Sequence, residues 1–234
     1  MTSVFRARGV SVSFGGVRAV AGVDLEIEPG ELVGLIGPNG AGKTTFIDAI
    51  TGFVRSTGTV ELAGAKLDGL APHVRSQRGL ARTWQTVELF DDLTVRENLT
   101  VAAGKGTAVD DELRLLDLAG AADSMPWELT QAERKRAGIG RALVARPRLL
   151  CLDEPAAGLD VRQSKEFGAL LPGIARAGTA VLLVDHDMGL VLSVCDRLVV
   201  LESGAVIAQG TAAEIRGDER VIAAYLGHAS AGAA

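Results

Sequence analysis

The chain has 234 residues, which suits one large α/β domain or one domain with a small inserted lobe. Its composition, 47% hydrophobic but only 4% aromatic, indicates a core built mainly from Val, Leu, Ile and Ala. A net charge of −5 argues against a nucleic-acid binder, which would normally carry a basic face. No apolar run approaches the roughly 20 residues that cross a bilayer, so attachment to a membrane would depend on a partner.

The chain begins with alternating apolar and polar residues. Val23, Leu25 and Ile27 alternate with acidic residues, and this period of two predicts a half-exposed antiparallel pair of strands that ends at the turn Pro29-Gly30. The next run, ELVGLIG, is continuously apolar, as is typical of a strand that is covered on both faces.

A glycine-rich stretch, GPNGAGKTT, follows that strand and opens a helical segment, and it fits the pattern G-x-x-x-x-G-K-[ST]. The glycines let the backbone curl so that successive N–H groups point at phosphate oxygens, and the helix N-terminus adds positive potential. Lys43 is expected to reach the β- and γ-phosphates, Thr44 to bind Mg²⁺ and Thr45 to hold the α-phosphate. A plain glycine-rich turn is the alternative, but the strand before the motif and the helix after it favour nucleotide binding. The predicted nucleotide contacts are Gly37, Pro38, Asn39, Gly40, Ala41, Gly42, Lys43, Thr44 and Thr45.

The pattern becomes helical at Thr94. Thr94-x-x-Glu97 is a capping box, and an Ala- and Leu-rich stretch continues to about Ala142. We therefore predict a small helical lobe over residues 95–143, with residues 5–94 and 144–227 forming a nucleotide-binding core. Residues 228–234 are expected to form a disordered tail.

Two further apolar strands end in polar residues. LLCLDEP places Asp153 at the carboxyl edge of the sheet beside the phosphate loop, where it can hold the Mg²⁺ shell, and it places Glu154 where it can polarise water. Two acidic residues at a strand end are ordinary in isolation, but together with the phosphate loop they favour catalysis. AVLLVDHD ends at His186, and the helical stretch between the two strands predicts a right-handed parallel unit.

These motifs, in this order, resemble the ATP-binding subunits of ABC transporters over about residues 5–227. The resemblance implies a P-loop NTPase fold: an α/β core with a mixed, partly parallel sheet, an N-terminal antiparallel β part and a short helical lobe. It also implies ATP hydrolysis with ATP and Mg²⁺ as the cofactors.

The resemblance assigns roles to five further residues. Phe14 matches the aromatic residue that stacks on adenine, and Val20 is expected near the ribose. Gln85, in ARTWQTVELF, matches a lid glutamine that senses Mg²⁺ and the attacking water. His186 matches a switch histidine that contacts the γ-phosphate, and Asp160 ends the loop AAGLD that crosses the dimer interface. A core aromatic for Phe14 and an ordinary strand-end histidine for His186 are the alternatives.

The family carries a loop of the form LSGGQ before the acidic strand, and LTQAE occupies its position here. Thr130 keeps a hydroxyl, Ala132 replaces the glycine that lets the backbone approach phosphate, and Glu133 replaces glutamine and adds negative charge. Thr130 and Glu133 also form a capping box, which would start this helix without any ligand. We therefore predict a weakened signature loop and hypothesise pairing with a different ATPase subunit, while a homodimer stays open.

Several stretches, including RGLARTWQTVELF, LDEPAAGLD and the ending AAYLG, look most like the ATPase subunits of branched-chain amino acid importers. The resemblance implies two transmembrane permease subunits, a second ATPase subunit and an extracytoplasmic substrate-binding protein as partners, and no nucleic acid. It also implies a peripheral position at the cytoplasmic face of the cell membrane.

Other functions stay open. ATPases of urea or short-amide importers and of lipopolysaccharide export are similar. A soluble ABC ATPase acting on ribosomes or DNA usually has tandem nucleotide domains or a long coiled-coil insert, which this chain lacks. A regulatory subunit that binds nucleotide without turnover is suggested only by Ala132.

Overall fold

The computed structural model describes residues 3–84, 88–103 and 108–231. The first part contains β1 (Phe5–Phe14), β2 (Val17–Ile27), β3 (Leu32–Ile36), α1 (Lys43–Thr51), β4 (Thr57–Leu62), β5 (Ala65–Lys66), α2 (Pro72–Gln77) and β6 (Leu80–Arg82). The middle contains α3 (Val95–Ala103), α4 (Asp110–Leu115), two 3₁₀ turns (Ala119–Ala121 and Pro126–Glu128) and α5 (Gln131–Leu143). The last part contains β7 (Leu149–Asp153), α6 (Val161–Gly168), α7 (Leu171–Arg176), β8 (Ala180–Val184), α8 (Met188–Val194), β9 (Arg197–Glu202), β10 (Ala205–Gly210), α9 (Ala212–Gly217) and α10 (Glu219–Ala231).

The described strands form two sheets. The N-terminal strands form a four-stranded antiparallel sheet in the order β2-β1-β4-β5, and its β1–β2 pairing confirms the antiparallel pair predicted from the alternating N-terminal residues. The second sheet has six strands in the order β10-β9-β3-β8-β7-β6. Its strands pair in parallel except for β10, which is antiparallel to β9. The fold is therefore α/β with a mixed, mostly parallel sheet, as predicted.

The central strands of the six-stranded sheet are apolar on both faces because protein covers each face. In β3, Leu32 and Ile36 pack in one core, and Val33 and Leu35 pack in the other. This division follows from the alternation of side chains along a strand. The first core includes residues of the middle helices, and the second includes β1, β2 and Phe46 of α1. The sheet thus forms a rigid platform whose carboxyl edge carries the phosphate loop.

In the middle of the chain, α3 packs against α5. The N-terminus of α3 is the predicted capping box, because Glu97 accepts hydrogen bonds from the N–H and the hydroxyl of Thr94 at 2.8 and 2.9 Å. The buried Asn98 accepts from the Phe90 N–H and donates to the carbonyls of Phe90 and Leu93. Asn98 therefore fixes the loop that enters α3.

The C-terminal part contains a hairpin and two helices. β9 and β10 are joined at the turn Ser203-Gly204, and a capping box formed by Thr211 and Glu214 starts α9. α10 runs to Ala231, which is beyond residue 227, where we expected the ordered chain to end. Within the described ranges, no helix is long and apolar enough to cross a membrane.

Candidate functional site

The phosphate loop joins β3 to α1 and depends on two glycines. A Cβ at Gly37 would lie 2.1 Å from the Leu201 carbonyl oxygen. Gly42 has φ +98°, and a Cβ there would lie 2.3 Å from the Ala19 carbonyl oxygen, so only glycine fits. Gly42 is also the N-cap of α1, where no side chain caps the helix. The first N–H groups of α1 and the positive end of its dipole are therefore what the loop offers to an anion.

Lys43 lies under this loop. Its side chain is buried, and its ammonium donates to the carbonyls of Gly37 and Pro38 at 2.7 and 3.0 Å. Burial lowers the pKa of Lys43, and the charges of Glu154 and Asp153 oppose that shift. The amine is thus close enough to both carboxylates for their negative charge to stabilise its protonated form. Along the rest of the loop, Asn39, Gly40 and Thr44 are exposed, Gly42 and Thr45 are half-buried, and Pro38 and Ala41 are buried.

Asp153 ends β7, and its carboxylate is held by a cation. Arg82, at the end of the adjacent strand β6, places Nη2 at 2.9 Å from Asp153 Oδ2, and its Nη1 pairs with Asp48 of α1. Burial raises the pKa of Asp153, and Arg82 opposes that shift through its charge and its hydrogen bond. The predicted metal ligand is therefore a buried carboxylate held from the side by Arg82.

Glu154 follows Asp153 in a left-handed backbone conformation, with φ +47°. Few residues other than glycine adopt this region, and such strain is often found at active sites. The Glu154 N–H donates to the Val184 carbonyl at 2.7 Å, which ties it to the end of β8. His186 follows β8, and its Nδ1 lies 3.7 Å from both Glu154 Oε2 and Asp185 Oδ1. Glu154 and His186 therefore meet at the carboxyl edge of the sheet.

The two residues expected beside the nucleoside differ in exposure. Phe14, the last residue of β1, is 52% exposed, which suits stacking on a base and excludes a core aromatic. Val20 is fully buried in the core between the two sheets and lies opposite Val12. The expected position of Val20 near the ribose therefore stays a prediction, and it involves no exposed side-chain surface in this structure.

The signature position forms the N-terminus of α5. Thr130 is the N-cap, and its N–H and hydroxyl donate to Glu133 Oε2 at 2.8 and 2.7 Å. The Glu133 N–H donates back to the Thr130 hydroxyl at 3.3 Å, which confirms the predicted capping box. These bonds from Thr130 lower the pKa of Glu133. Ala132 is half-buried between the two partners of the box.

The loop 156–160 lies beside this helix start. Asp160 is the N-cap of α6, where its carboxylate accepts a hydrogen bond from the Gln163 N–H at 2.8 Å. A Cβ at Gly158 would lie 2.6 Å from Nε2 of Gln131, the first residue of α5. The loop that ends at Asp160 and the signature residues Thr130, Ala132 and Glu133 therefore form a second group of predicted site residues, near the N-terminus of α5.

Gln85, the predicted lid glutamine, lies outside the described residues. Sequence reasoning missed two other residues that touch the site. Arg82 could have been found from the sequence, because it is a cation at the end of a short strand that precedes Gln85. No sequence pattern indicated Tyr225. Its hydroxyl is hydrogen-bonded to the Gly37 backbone and lies 3.5 Å from Met188 Sδ. Burial raises the pKa of Tyr225, and the hydrogen bond with Gly37 opposes that shift.

A glycine-rich phosphate loop between a strand and a helix, beside two carboxylates at the carboxyl edge of a parallel sheet, defines a P-loop ATPase. The chain belongs to the ABC transporter family, whose model matches residues 20–157. A second model, described as branched-chain amino acid ATP-binding cassette transporter, matches residues 205–231. The chain is thus an ATP-binding and ATP-hydrolysing subunit of this family.

Curated relatives align over nearly the whole chain. BraF, a high-affinity branched-chain amino acid transport ATP-binding protein of Pseudomonas aeruginosa, is 36% identical over 97% of this chain and 98% of its own length. LivG of Escherichia coli, with the same description, is 38% identical over 94% and 96%. LptB, the ATP-binding protein of the lipopolysaccharide export system of Escherichia coli, is 34% identical over 94% and 96%.

Solved ABC cassettes share the fold. The ADP conformation of MJ1267, an ATP-binding cassette of an ABC transporter, has a TM-score of 0.88 at 27% identity and covers 97% of this chain and 100% of its own. A nucleotide-free ATP-binding cassette has a TM-score of 0.85 at 26% identity, with 96% and 99% covered. The P-loop NTPase fold expected from the sequence is therefore confirmed.

Proposed function

We propose that the chain is the ATPase subunit of a branched-chain amino acid importer. The observation that carries this proposal is the similarity to BraF and LivG over nearly the full length of all three chains. The match of residues 205–231 to the branched-chain amino acid cassette model supports it from the C-terminal end. LptB is also similar, at lower identity, so the test must separate amino acid import from lipopolysaccharide export and from urea or amide import.

Thr44 and Asp153 are proposed to hold Mg²⁺ together with ATP. An exposed hydroxyl at the start of α1 and a carboxylate at the end of β7 are the oxygen donors that Mg²⁺ prefers. In nucleotide sites Mg²⁺ usually takes only one or two protein carboxylates and completes its shell with phosphates and waters. This agrees with the described part of the chain, in which no three His, Cys, Asp or Glu residues cluster to hold a metal. Bound Mg²⁺ would neutralise charge on the β- and γ-phosphates.

In this proposal, one set of residues binds the nucleotide and another carries out its hydrolysis. The N–H groups of loop 37–42 and the Lys43 ammonium bind the phosphates, and the Phe14 ring stacks on the adenine. Glu154 accepts a proton from the attacking water as general base. His186, which lies 3.7 Å from Glu154, contacts the γ-phosphate. Gln85 is proposed to complete the metal shell and to orient the water.

Two ATPase subunits are proposed to close around two ATP molecules, so that each α5 N-terminus faces the γ-phosphate held by the other subunit. Here the hydroxyl of Thr130 and the N–H of Glu133 already bond within the chain. Opening this box costs about 1 kcal/mol, which is typical of a lost N-cap. The Glu133 carboxylate repels phosphate, and the Cβ of Ala132 limits its approach. The partner is therefore proposed to be a different ATPase subunit, with an intact glycine-rich signature.

Two permease subunits are proposed to dock beside the lid glutamine. A groove of about 360 Å³ lies between the end of β6 and α5, and Trp84, Glu88 and Arg141 line it. Arg141 of α5 donates to the Glu88 carbonyl and lies 4.8 Å from the Phe90 ring, so α5 supports one wall of the groove. Through these permeases the chain would attach to the cytoplasmic face of the membrane. An extracytoplasmic binding protein would deliver the amino acid.

Uptake of radiolabelled leucine tests the cargo, in cells whose chromosomal copy is replaced by variants. Wild-type protein is expected to restore uptake, and Glu154→Gln to reduce it by roughly a hundredfold or more, since it removes the general base. Glu166→Gln, which changes an exposed acid on α6, is the matched control and keeps uptake. Urea uptake and lipopolysaccharide assembly are measured in the same cells. Loss of either one with leucine uptake intact would contradict the proposed cargo.

Phosphate release by the assembled complex tests the catalytic role separately. Release that disappears in Glu154→Gln, with ATP still bound, excludes a purely regulatory subunit. Release that persists unchanged in that variant would contradict the role of Glu154.

A further inference from the structure

We infer that Arg82 is a positioning residue for the magnesium site, because it joins the two elements that carry the proposed metal ligands Thr44 and Asp153. This inference rests on the proposed function, in which those two residues hold Mg²⁺ with ATP. Arg82 itself is not proposed to contact nucleotide or metal. It acts by holding the Asp153 carboxylate in place.

The contacts of Arg82 form a buried bridge. The Arg82 side chain is only 7% exposed, and that of Asp153 is 9% exposed. Nη2 lies 2.9 Å from Asp153 Oδ2, and Nη1 of the same guanidinium pairs with Asp48. Such charge-assisted bonds to a rigid planar fork fix direction as well as distance. Among the contacts of the described residues, this pairing engages Oδ2 and leaves Asp153 Oδ1 for the metal shell.

Asp48 connects this bridge to the phosphate loop. Asp48 follows Thr44 by four positions on α1, so the two residues lie on the same face, about one turn apart. Asp153 lies at the end of β7, a strand of the six-stranded sheet. Arg82 thus sets the spacing between the helix that carries Thr44 and the strand that carries Asp153.

Two aromatic rings hold the guanidinium from the other side. The Arg82 Cζ lies 4.3 Å from the centre of the Trp84 ring and 5.9 Å from that of Phe53. The two rings pack edge to face with their centres 5.0 Å apart. Phe53 lies just beyond the end of α1, so this stack ties Arg82 to the same helix a second time. The α1 end of the bridge is therefore held by two separate contacts, Asp48 and Phe53.

A purely structural role for Arg82 makes a different prediction from a positioning role. If Arg82 only compensates buried charge, its loss weakens the fold and lowers nucleotide affinity equally with and without Mg²⁺. If it positions Asp153, its loss reduces the additional affinity that Mg²⁺ confers. The ratio of the nucleotide affinity with Mg²⁺ to the nucleotide affinity without Mg²⁺ separates these roles.

The experiment uses the purified full chain and a fluorescent ATP analogue, titrated in excess Mg²⁺ and in EDTA. For Arg82→Gln we expect the Mg²⁺-dependent gain in affinity to fall roughly tenfold or more, as is typical when a partner of a metal ligand is removed. Affinity in EDTA is expected to change by less than about twofold. Arg82→Lys keeps the charge but cannot bridge two carboxylates as a fork, so it should recover part of the gain. Arg114→Gln, which removes a largely exposed arginine on α4, is the matched control.

Each contrary outcome identifies what fails. Wild-type protein whose affinity does not depend on Mg²⁺ would overturn the proposed magnesium site. A wild-type gain that Arg82→Gln leaves unchanged, or equal losses with and without Mg²⁺, would overturn the role of Arg82 and leave the magnesium site intact. If thermal melting shows that Arg82→Gln does not fold, Arg82→Lys carries the test, and an unchanged gain in that variant overturns the inference.

Discussion

The N-termini of α1 and α5 are both expected to face phosphate, yet the chain treats them in opposite ways. At α1 the N-cap is Gly42, which offers no side chain, and the first turn contains no acidic residue. At α5 the N-cap is Thr130, which forms a closed capping box with Glu133 in the first turn. One helix start leaves its N–H groups to a ligand, and the other satisfies them within the chain.

This difference shows how a helix N-terminus can be tuned for or against an anion. Backbone N–H groups without a side-chain partner bind phosphate at no cost to the fold. A capping box stabilises the helix by about 1 kcal/mol, and a phosphate must displace it. The sequence therefore leaves the phosphate loop open to a ligand, and we propose that the closed N-terminus of α5 makes a weaker site for a partner subunit.

The largest expected effect is at the open helix start. Gly42→Ala forces a Cβ onto the Ala19 carbonyl in addition to backbone strain of about 1–3 kcal/mol, so we expect it to abolish ATP binding and lower the unfolding free energy. Gly40→Ala is the control, because Gly40 has φ +78° but nothing within 4 Å of the added Cβ. Calorimetry and nucleotide titration measure both effects. Equal losses in the two variants would contradict the importance of the close approach.

At the closed helix start the opposite substitution should help. Ala132→Gly removes the Cβ that limits the approach of phosphate, so we expect it to raise ATP hydrolysis by the assembled complex. The purified chain alone should show no such gain, because the proposed composite site requires two subunits. ATPase activity that stays unchanged in the complex would contradict the steric argument.

Two threonines separate stability from binding. Thr130→Ala removes the N-cap of α5 and should lower the unfolding free energy by about 1 kcal/mol, with ATP binding by the isolated chain unchanged. Thr44→Ala removes no cap and should leave stability within about 0.5 kcal/mol, while weakening ATP binding in the presence of Mg²⁺. Thr211→Ala, which opens the equivalent box at α9, controls for the loss of a cap. Weakened ATP binding by the isolated chain in Thr130→Ala would contradict the separation of stability from binding.

The smallest expected effect is a pH dependence at the closed helix start. Hydrogen bonds from Thr130 lower the pKa of Glu133 below its ordinary value of 4.5. A lowered pKa in the folded chain stabilises the fold above the unfolded pKa, and this stabilisation is lost as pH falls through the folded value. Glu133→Gln should therefore show a shallower decline in unfolding free energy than wild type as pH falls below about 4.5. Glu166→Gln is the charge-matched control, and a decline as steep as wild type in Glu133→Gln would contradict the assignment.

Much of the fold and part of the site could be predicted from the sequence because they depend on local patterns. Alternation predicted the antiparallel pair of β1 and β2, and residue types at fixed spacing predicted the phosphate loop and the box at Thr130. Contacts between distant segments could not be predicted in this way. The complete burial of Val20, for example, depends on the packing of segments that are distant in sequence. Arg82 meets Asp153 only because β6 pairs with β7.

The proposed pairing with a different ATPase subunit is tested most directly by purifying the tagged chain from native membranes in mild detergent and identifying its partners by mass spectrometry. We predict two permease-like proteins and a second ATPase subunit with an intact glycine-rich signature, since the α5 N-terminus of this chain is closed by its own side chains. Permeases accompanied by this ATPase alone would contradict it, because LTQAE would then have to serve both composite sites.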